Sequence, residues 1–234
     1  EGIQHIFDLF KENPDDNTKY NLIVASDGKT YLTTGSDLFA GWVNTSKILF
    51  NNINTERVTA MNNMFVACSS LKDIDISSFD TSNVTTMQYM FSVSGIEDIN
   101  LSNMGGNNLT NADMFSGCQS IKTINMSGFN FGTSSLKIFA GISSASFTEV
   151  DLSKAIINSE DLSGMFASLG AIEIINLSDV EISNVTNMAG MFFRCSSLRE
   201  VDLSSFDVGN VTSIDSMFAG CDSIERIYVS NNWN

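Results

Sequence analysis

The sequence predicts an α/β repeat, a leucine-rich-repeat-like right-handed solenoid of about eight coils with one parallel β-sheet. Two observations carry this. Apolar pairs recur every 25 or 26 residues: Ile48/Phe50, Ile74/Ile76, Ile99/Leu101, Ile124/Met126, Val150/Leu152, Ile175/Leu177, Val201/Leu203 and Ile227/Val229. Around each pair the chain repeats one line, clearest as Ser70-Leu71-Lys72-Asp73-Ile74-Asp75-Ile76-Ser77-Ser78-Phe79 and again as Ser197-Leu198-Arg199-Glu200-Val201-Asp202-Leu203-Ser204-Ser205-Phe206. A fixed period of this length marks stacked supersecondary units, each unable to bury its apolar edge alone.

Residues 1–37 lie outside the repeat. Ile3, Ile6, Phe7 and Phe10 fall on one face of a helix that Asn13-Pro14 would end, and Tyr20–Ala25 and Thr30–Thr33 flank Asp27-Gly28, a hairpin-turn dipeptide. A helix plus hairpin, an α+β unit, is the expected N-terminal cap. Residues 38–234 then form the eight coils, the last incomplete. Within a coil the alternation at Ile74-Asp75-Ile76 predicts a strand with Asp75 turned from the core. Val84, Met87, Met90 and Phe91 fall at helical spacing, with Ser82 and Asn83 as N-caps, so a short helix or 3₁₀ turn is expected on the convex side. Stacking at about 4.8 Å would give a sheet roughly 34 Å long. The middle coils depart from the pattern at Asn107-Asn108, at 131–135 and at 154–157, where convex loops should vary. Trp233-Asn234 follow the eighth strand without a cap, so further domains or a partner are expected over that end.

Composition narrows the function. The 234 residues carry 12 basic against 27 acidic side chains, a net charge of −15, and 43% apolar residues, enough for a sizeable core. Nucleic acid and anionic lipid surfaces both require basic patches and are not expected partners. No stretch approaches the ~20 apolar residues of a membrane span. The chain opens on Glu1-Gly2 without Met and without a signal peptide, which leaves room for a leader removed earlier.

Several constellations in the sequence carry chemistry in other proteins. Cys68, Cys118, Cys195 and Cys221 each follow a Met by four residues, so they occupy one slot in four coils and form a ladder rather than a converging metal site. They read as buried thiols, although Cys195 and Cys221, in adjacent coils, could just reach one another. The repeated Met positions are core filler. His5 is the single histidine, so no His-based triad or zinc site can be assembled, and no phosphate-binding or nucleophile motif is present. No cofactor and no enzymatic activity are expected. The Asn-Val-Thr triplets at Asn83, Asn184 and Asn210 read as repeat chemistry.

Outward strand positions give, coil by coil, Asp73/Asp75/Ser77, Asp98/Asn100/Ser102, Thr123/Asn125/Ser127, Glu149/Asp151/Ser153, Ile174/Asn176/Ser178, Glu200/Asp202/Ser204 and Arg226/Tyr228/Ser230. This acidic, amide-rich face with a serine column along its edge is either a solvated surface or a concave ligand-binding surface, and calcium between stacked aspartates is a further option. Read as a binding surface, its candidate residues are Asp73, Asp75, Asp98, Asn100, Glu149, Asp151, Asn176, Glu200, Asp202, Arg226 and Tyr228, with Tyr228 beside Arg226 the expected anchor.

The line Met-Phe-x-x-Cys-x-Ser-Leu-x-x-Ile-Asp-Leu-Ser-x-Phe-Asp-x-x-Asn-Val-Thr, best matched over Met64–Met90 and Met191–Met217, resembles the 26-residue repeat of BspA-like bacterial surface proteins. The resemblance spans about residues 38–230. It implies a leucine-rich-repeat-like fold, export to the cell surface, and adhesion to host matrix proteins or other cells. The family motif carries no catalytic residues. The expected function is therefore a bacterial cell-surface or secreted interaction module whose partner is an extracellular protein or glycan. The alternative is a structural spacer within a longer surface protein.

Overall fold

A computed structural model describes residues 7–13, 16–110, 113–133 and 137–233. Eight short parallel strands stand where the apolar pairs predict them: β3 (Thr45–Asn54), β4 (Asp73–Ile74), β5 (Asp98–Asn100), β6 (Thr123–Asn125), β7 (Glu149–Asp151), β8 (Ile174–Asn176), β9 (Glu200–Leu203) and β10 (Arg226–Val229). Their register aligns the pairs directly, Ile48 with Ile74, Ile99 with Ile124, Val150 with Ile175 and Ile227 with Val201. The inward members from Ile48 to Leu203 are buried, apart from the half-buried Phe50. Ile227 and Val229 are exposed, because no further coil covers the last one among the described residues.

Backbone pairing on the strand side divides into three ladders rather than the single sheet expected: two N-terminal strands, β1 (Phe7–Asn13) and β2 (Asp16–Tyr31), with β3 and β4; then β5 to β8; then β9 with β10. Stacking nevertheless runs through both breaks on the opposite side of the coil. There the N–H groups of Met61, Asn63, Phe65 and Ala67 donate to the carbonyls of Thr86, Gln88, Met90 and Ser92, and those of Leu162, Gly164, Phe166 and Ser168 to Asn187, Ala189, Met191 and Phe193. The breaks are therefore local losses of strand pairing in a continuous solenoid.

The convex segments are not helices, and no helix occurs among the described residues. Each is a ribbon of consecutive turns. Met90 N–H donates to Met87 O and Cys68 N–H to Phe65 O, three residues back, while the intervening N–H groups donate to the next coil. Left-handed residues recur four apart within a ribbon, as at Asn63 (φ 54°) and Ala67 (φ 57°), Gly190 (φ 61°) and Arg194 (φ 60°), and Ser216 (φ 55°) and Gly220 (φ 79°). A right-handed helix cannot pass through such positions. A turn ribbon also returns its apolar residues every three or four positions, so Met87, Met90 and Phe91 are fully buried just as a helix would bury them. Spacing alone does not separate the two. Tyr89 (φ 57°) and Val93 (φ 56°) place large side chains at left-handed positions that other coils fill mainly with small or turn-forming residues.

Among the described residues the N-terminal cap is β rather than the α+β expected. Phe7 and Phe10, assigned above to a helix, lie in β1 (Phe7–Asn13), which pairs antiparallel with β2 (Asp16–Tyr31); Ile3, Ile6 and Pro14 lie outside the described residues. Asp27-Gly28 sits inside β2 at a register shift and makes no hairpin turn. The hairpin forms instead between Asn13 and Asp16. The physical reason is the edge of the first coil. β2 adds to β3 in parallel, Leu22 opposite Ile48 and Val24 opposite Phe50, so strand pairing satisfies backbone groups that a helix would leave open. Leu22 and Val24 are fully buried by it.

Two stacks of phenylalanine rings run along the core. Phe39, Phe65, Phe91 and Phe115 have centroids 5.5, 5.4 and 5.7 Å apart. Phe139, Phe166, Phe192 and Phe218 follow at 5.3, 5.4 and 5.2 Å. Beside the rings the cysteines form the ladder their shared slot predicts. The Sγ atoms of Cys68, Cys118, Cys195 and Cys221 donate to the carbonyls of Phe39, Phe91, Phe166 and Phe192 at 3.1, 3.1, 3.1 and 3.0 Å. All four are buried free thiols. Burial pushes the Cys68 thiol up to about 11 and that of Cys195 to about 12, which removes the reactive thiolate at neutral pH. A thiol reagent should therefore modify the native protein far more slowly than the unfolded one, and titration in denaturant without reductant should return four equivalents. Two equivalents would mean a Cys195–Cys221 bridge.

A candidate ligand-binding face

The strand face consists of side-chain columns, one residue per coil. The column at the strand start reads Lys47, Asp73, Asp98, Thr123, Glu149, Ile174, Glu200 and Arg226, aligned by the strand register wherever the strands pair. Two residues on, the second column reads Leu49, Asp75, Asn100, Asn125, Asp151, Asn176, Asp202 and Tyr228. Both face away from the core, and the candidate residues are exposed except for the half-buried Asp151 and Asn176.

The second column serves the fold. In six successive coils its Oδ1 accepts the backbone N–H two residues on: Ser77 to Asp75 at 3.0 Å, Ser102 to Asn100 at 3.0 Å, Ser127 to Asn125 at 2.9 Å, Ser153 to Asp151 at 2.8 Å, Ser178 to Asn176 at 3.1 Å and Ser204 to Asp202 at 2.8 Å. These are Asx turns, which end each strand and lead into the turn that returns the following apolar residue to the core. The serine hydroxyl and backbone N–H of Ser77 hold the Asp75 carboxyl below its ordinary range, and Ser204 does the same for Asp202. The Asn176 amide also donates to Asp151 Oδ1 at 3.0 Å. Five of the eleven candidates, Asp75, Asn100, Asp151, Asn176 and Asp202, are thus strand terminators first. The sequence carries the signal in its Asx-x-Ser spacing.

The face is also less uniformly acidic than its outward residues suggest, because lysines and an arginine interleave with the carboxylates. Lys47 pairs with Asp73. Glu97, just before β5, bridges Lys72 and Lys122, with Lys122 Nζ 2.6 Å from its Oε2, so three coils are tied at the strand-start rim. Asp98 accepts the Thr123 hydroxyl at 2.6 Å. Arg226 donates from Nη2 and Nε to Glu200 Oε2 at 2.8 and 3.0 Å. The rim lysines escaped the outward-position pattern because they precede the strand. Hydrogen bonds and charge from Lys122 and Lys72 hold the Glu97 carboxyl down at about 2.

These contacts change which residues stand out. Arg226 is engaged by Glu200, and the exposure of Tyr228 (47%) is shared by its neighbours Ile227 (42%) and Val229 (46%), a property of the uncovered last coil. In the interior of the stack, by contrast, Ile174 is 52% exposed at an outward position flanked in the same column by Glu149 and Glu200. The sequence places Ile174 outward, but a lone isoleucine in a degenerate coil does not declare itself. Among the described residues no group of three or more His, Cys, Asp or Glu side chains converges to hold a metal ion, and no helix is long and apolar enough to cross a membrane.

With this geometry in place, the profile of a family described as "Mycoplasma protein of unknown function, DUF285" matches residues 33–154 and 160–234. The chain belongs to that family. The two matched stretches of the DUF285 chain meet around residues 155–159, in a coil whose sequence departs from the pattern, and between them they cover all eight strands of the solenoid. DUF285 is here a repeat family. No curated protein matches the chain. Among solved structures, a leucine-rich repeat protein from Bacteroides ovatus ATCC 8483 is similar at 14% identity over 96% of this chain and 88% of that one, with a TM-score of 0.26.

Two outcomes test this account of the face. Asp202→Asn should leave a urea melt nearly unchanged, since Asn fills the same role at Asn100, Asn125 and Asn176, whereas Asp202→Ala should cost about 1 kcal/mol by stranding the Ser204 N–H. For Glu97, the folded value lies below the unfolded one. Its contribution to stability is complete above the ordinary glutamate value near 4.5 and is lost as pH falls through about 2. NMR titration of its carboxyl should show this low value, and replacing Lys72 and Lys122 together with Gln should return it toward the ordinary range.

Proposed function

We propose that this chain is an extracellular interaction module of a bacterial surface or secreted protein, of the BspA-like kind, and that it binds a protein or glycan through the strand face around Ile174. The observation that carries the reading is the exposure of Ile174 between Glu149 and Glu200 on a rigid polar array. Interface hot spots are side chains that become fully desolvated inside a ring of contacts that exclude water, and repeat solenoids engage partners through an extended face built from several coils. Supporting it are the repeat's likeness to surface adhesins and the net charge of −15, which favours a partner with cationic groups. Binding rather than catalysis fits a face most of whose carboxylates are held in turns, hydrogen bonds and ion pairs.

The purified protein should be screened for binding to immobilised matrix proteins and polysaccharides. Against whatever it binds, Ile174→Thr should lower affinity at least about tenfold while the thermal melt stays nearly unchanged, because the side chain is exposed and Thr keeps the β-branched shape without adding charge beside Glu149. Affinity should also fall as salt rises, since exposed charges are screened beyond ~8–10 Å. Full affinity in the Ile174 variant would sink the assignment of this patch. No binding to any surface in the screen would favour a spacer.

A further inference from the structure

The fifth coil turns its corner differently from the others. In the second, fourth, sixth, seventh and eighth coils, three residues separate the last left-handed residue of the ribbon from the apolar residue that opens the next strand line. Cys68-Ser69-Ser70, between Ala67 and Leu71, is the pattern. The fifth coil has five, Ile142-Ser143-Ser144-Ala145-Ser146, between Gly141 (φ 78°) and Phe147. The extra length is held in a fixed turn, with Ser146 N–H donating to Ser144 Oγ at 3.2 Å and Phe147 N–H to Ser144 O at 3.3 Å. Against the sixth coil it encloses a hollow of about 460 Å³ that reaches Ser197 of the seventh.

The fifth and sixth coils have also parted on the ribbon side. The N–H groups of Phe166 and Ser168 donate to Met191 O and Phe193 O of the following coil, yet their counterparts one coil earlier, Phe139 and Gly141, meet no acceptor among the described residues. Pairing of Val150 with Ile175 and the 5.3 Å stacking of Phe139 on Phe166 still join the two coils. The hollow is therefore an interior feature of the stack, with strands β3 to β6 before it and β9 and β10 after it.

Its lining is chemically narrow. None of the residues around it is charged, although the chain carries 12 basic and 27 acidic side chains. Buried Phe147 and Leu169 supply an apolar floor. The hydroxyls of Ser143, Ser168 and Ser197 make no hydrogen bond among the described residues, and neither do the N–H groups of Ser143, Gly170 and Ala171.

We propose that this hollow binds an uncharged sugar ring of a glycan. A charged ligand would lose its water with no opposite charge to meet it, and a purely apolar one would strand the hydroxyls and open N–H groups. A pyranose ring carries both complements: C–H faces for the floor, and hydroxyls that donate to and accept from serine. The volume lies within the roughly 300–1,000 Å³ of clefts that take small molecules. Insertions in repeat arrays collect in loops of one face, often the binding face, and a loop already fixed by its own turn need not be ordered by its ligand. An extended peptide fits less well, because it needs a straight edge of alternating donors and acceptors rather than a corner. This site lies outside the strand face, and neither it nor the Ile174 patch depends on the other.

The test is an NMR titration of the isotope-labelled chain with glucose, galactose, mannose and N-acetylglucosamine and with their β-linked disaccharides. At least one should give saturable shifts at the amides of Ser143, Ser144, Gly170 and Ala171, little changed between low and high salt because no ion pair is involved. Ser143→Ala combined with Ser197→Ala should weaken that binding at least about tenfold while leaving the thermal melt unchanged, since neither hydroxyl is used within the fold. Gly170→Leu should abolish it by filling the hollow. A Cβ at Gly170 meets only Ser196 Oγ, at 3.4 Å, so the backbone need not move. Undiminished affinity in the double serine variant would overturn the proposal. So would the lack of a saturable shift with every sugar, which leaves the strand-face reading to its own screen. Shifts confined to the amides around Ile174 would overturn this site and support the strand face instead.

Discussion

Every feature of this protein depends on one constraint: the backbone of each coil is completed only by the coil that follows or precedes it. Bonds such as Phe65 N–H to Met90 O and Phe166 N–H to Met191 O join residues a full repeat apart, and few bonds close within a coil beyond its tight turns. A coil alone would leave these groups to water and its phenylalanine ring without a neighbour. Hydrogen bonds, ring stacking at 5.2–5.7 Å and the cysteine S–H ladder therefore all act along the stacking direction, and they reinforce one another. Left-handed positions in each ribbon are the conformational cost of aiming alternate N–H groups at the next coil.

The same constraint explains why the polar face looks as it does. Each strand of two to four residues must stop and turn back to the core, and an Asx side chain bonding two residues ahead performs that at six consecutive coils. Aspartate and asparagine each fill three of these positions because either can accept the N–H. A column of carboxylates and amides is thus generated by turn geometry before any ligand is considered. The neighbouring rim offsets its charge with Lys72–Glu97–Lys122, and Glu200 with Arg226. An exposed isoleucine amid these polar columns, Ile174, departs from this logic, since an apolar side chain serves neither a turn nor an ion pair.

The coil repeat, the eight strands and their register were legible in the sequence because a period-2 alternation inside a 26-residue period has one stacking solution. The thiol ladder was legible too, since four cysteines at one offset cannot converge. The convex turn ribbon and the β cap were not. Val84, Met87, Met90 and Phe91 satisfy helical spacing and turn-ribbon spacing equally, and Phe7 and Phe10 fit a helix face as readily as the strand that contains them. On the strand face, the direction of each residue follows from the alternation, whereas its engagement in a local turn is signalled only by the Asx-x-Ser spacing, as at Asp75-Ser77 and Asp202-Ser204.

The sequence by itself determined the number of coils, the residues that enter the core and the direction each strand residue faces, because burial follows apolar periodicity. Only the tertiary structure decided where each backbone N–H finds its acceptor, which separates a turn ribbon from a helix and a capping strand from a capping helix. It alone also decided which surface charges are already paired. Both are properties of atoms a full repeat apart, and no local pattern along the chain encodes the distance between them.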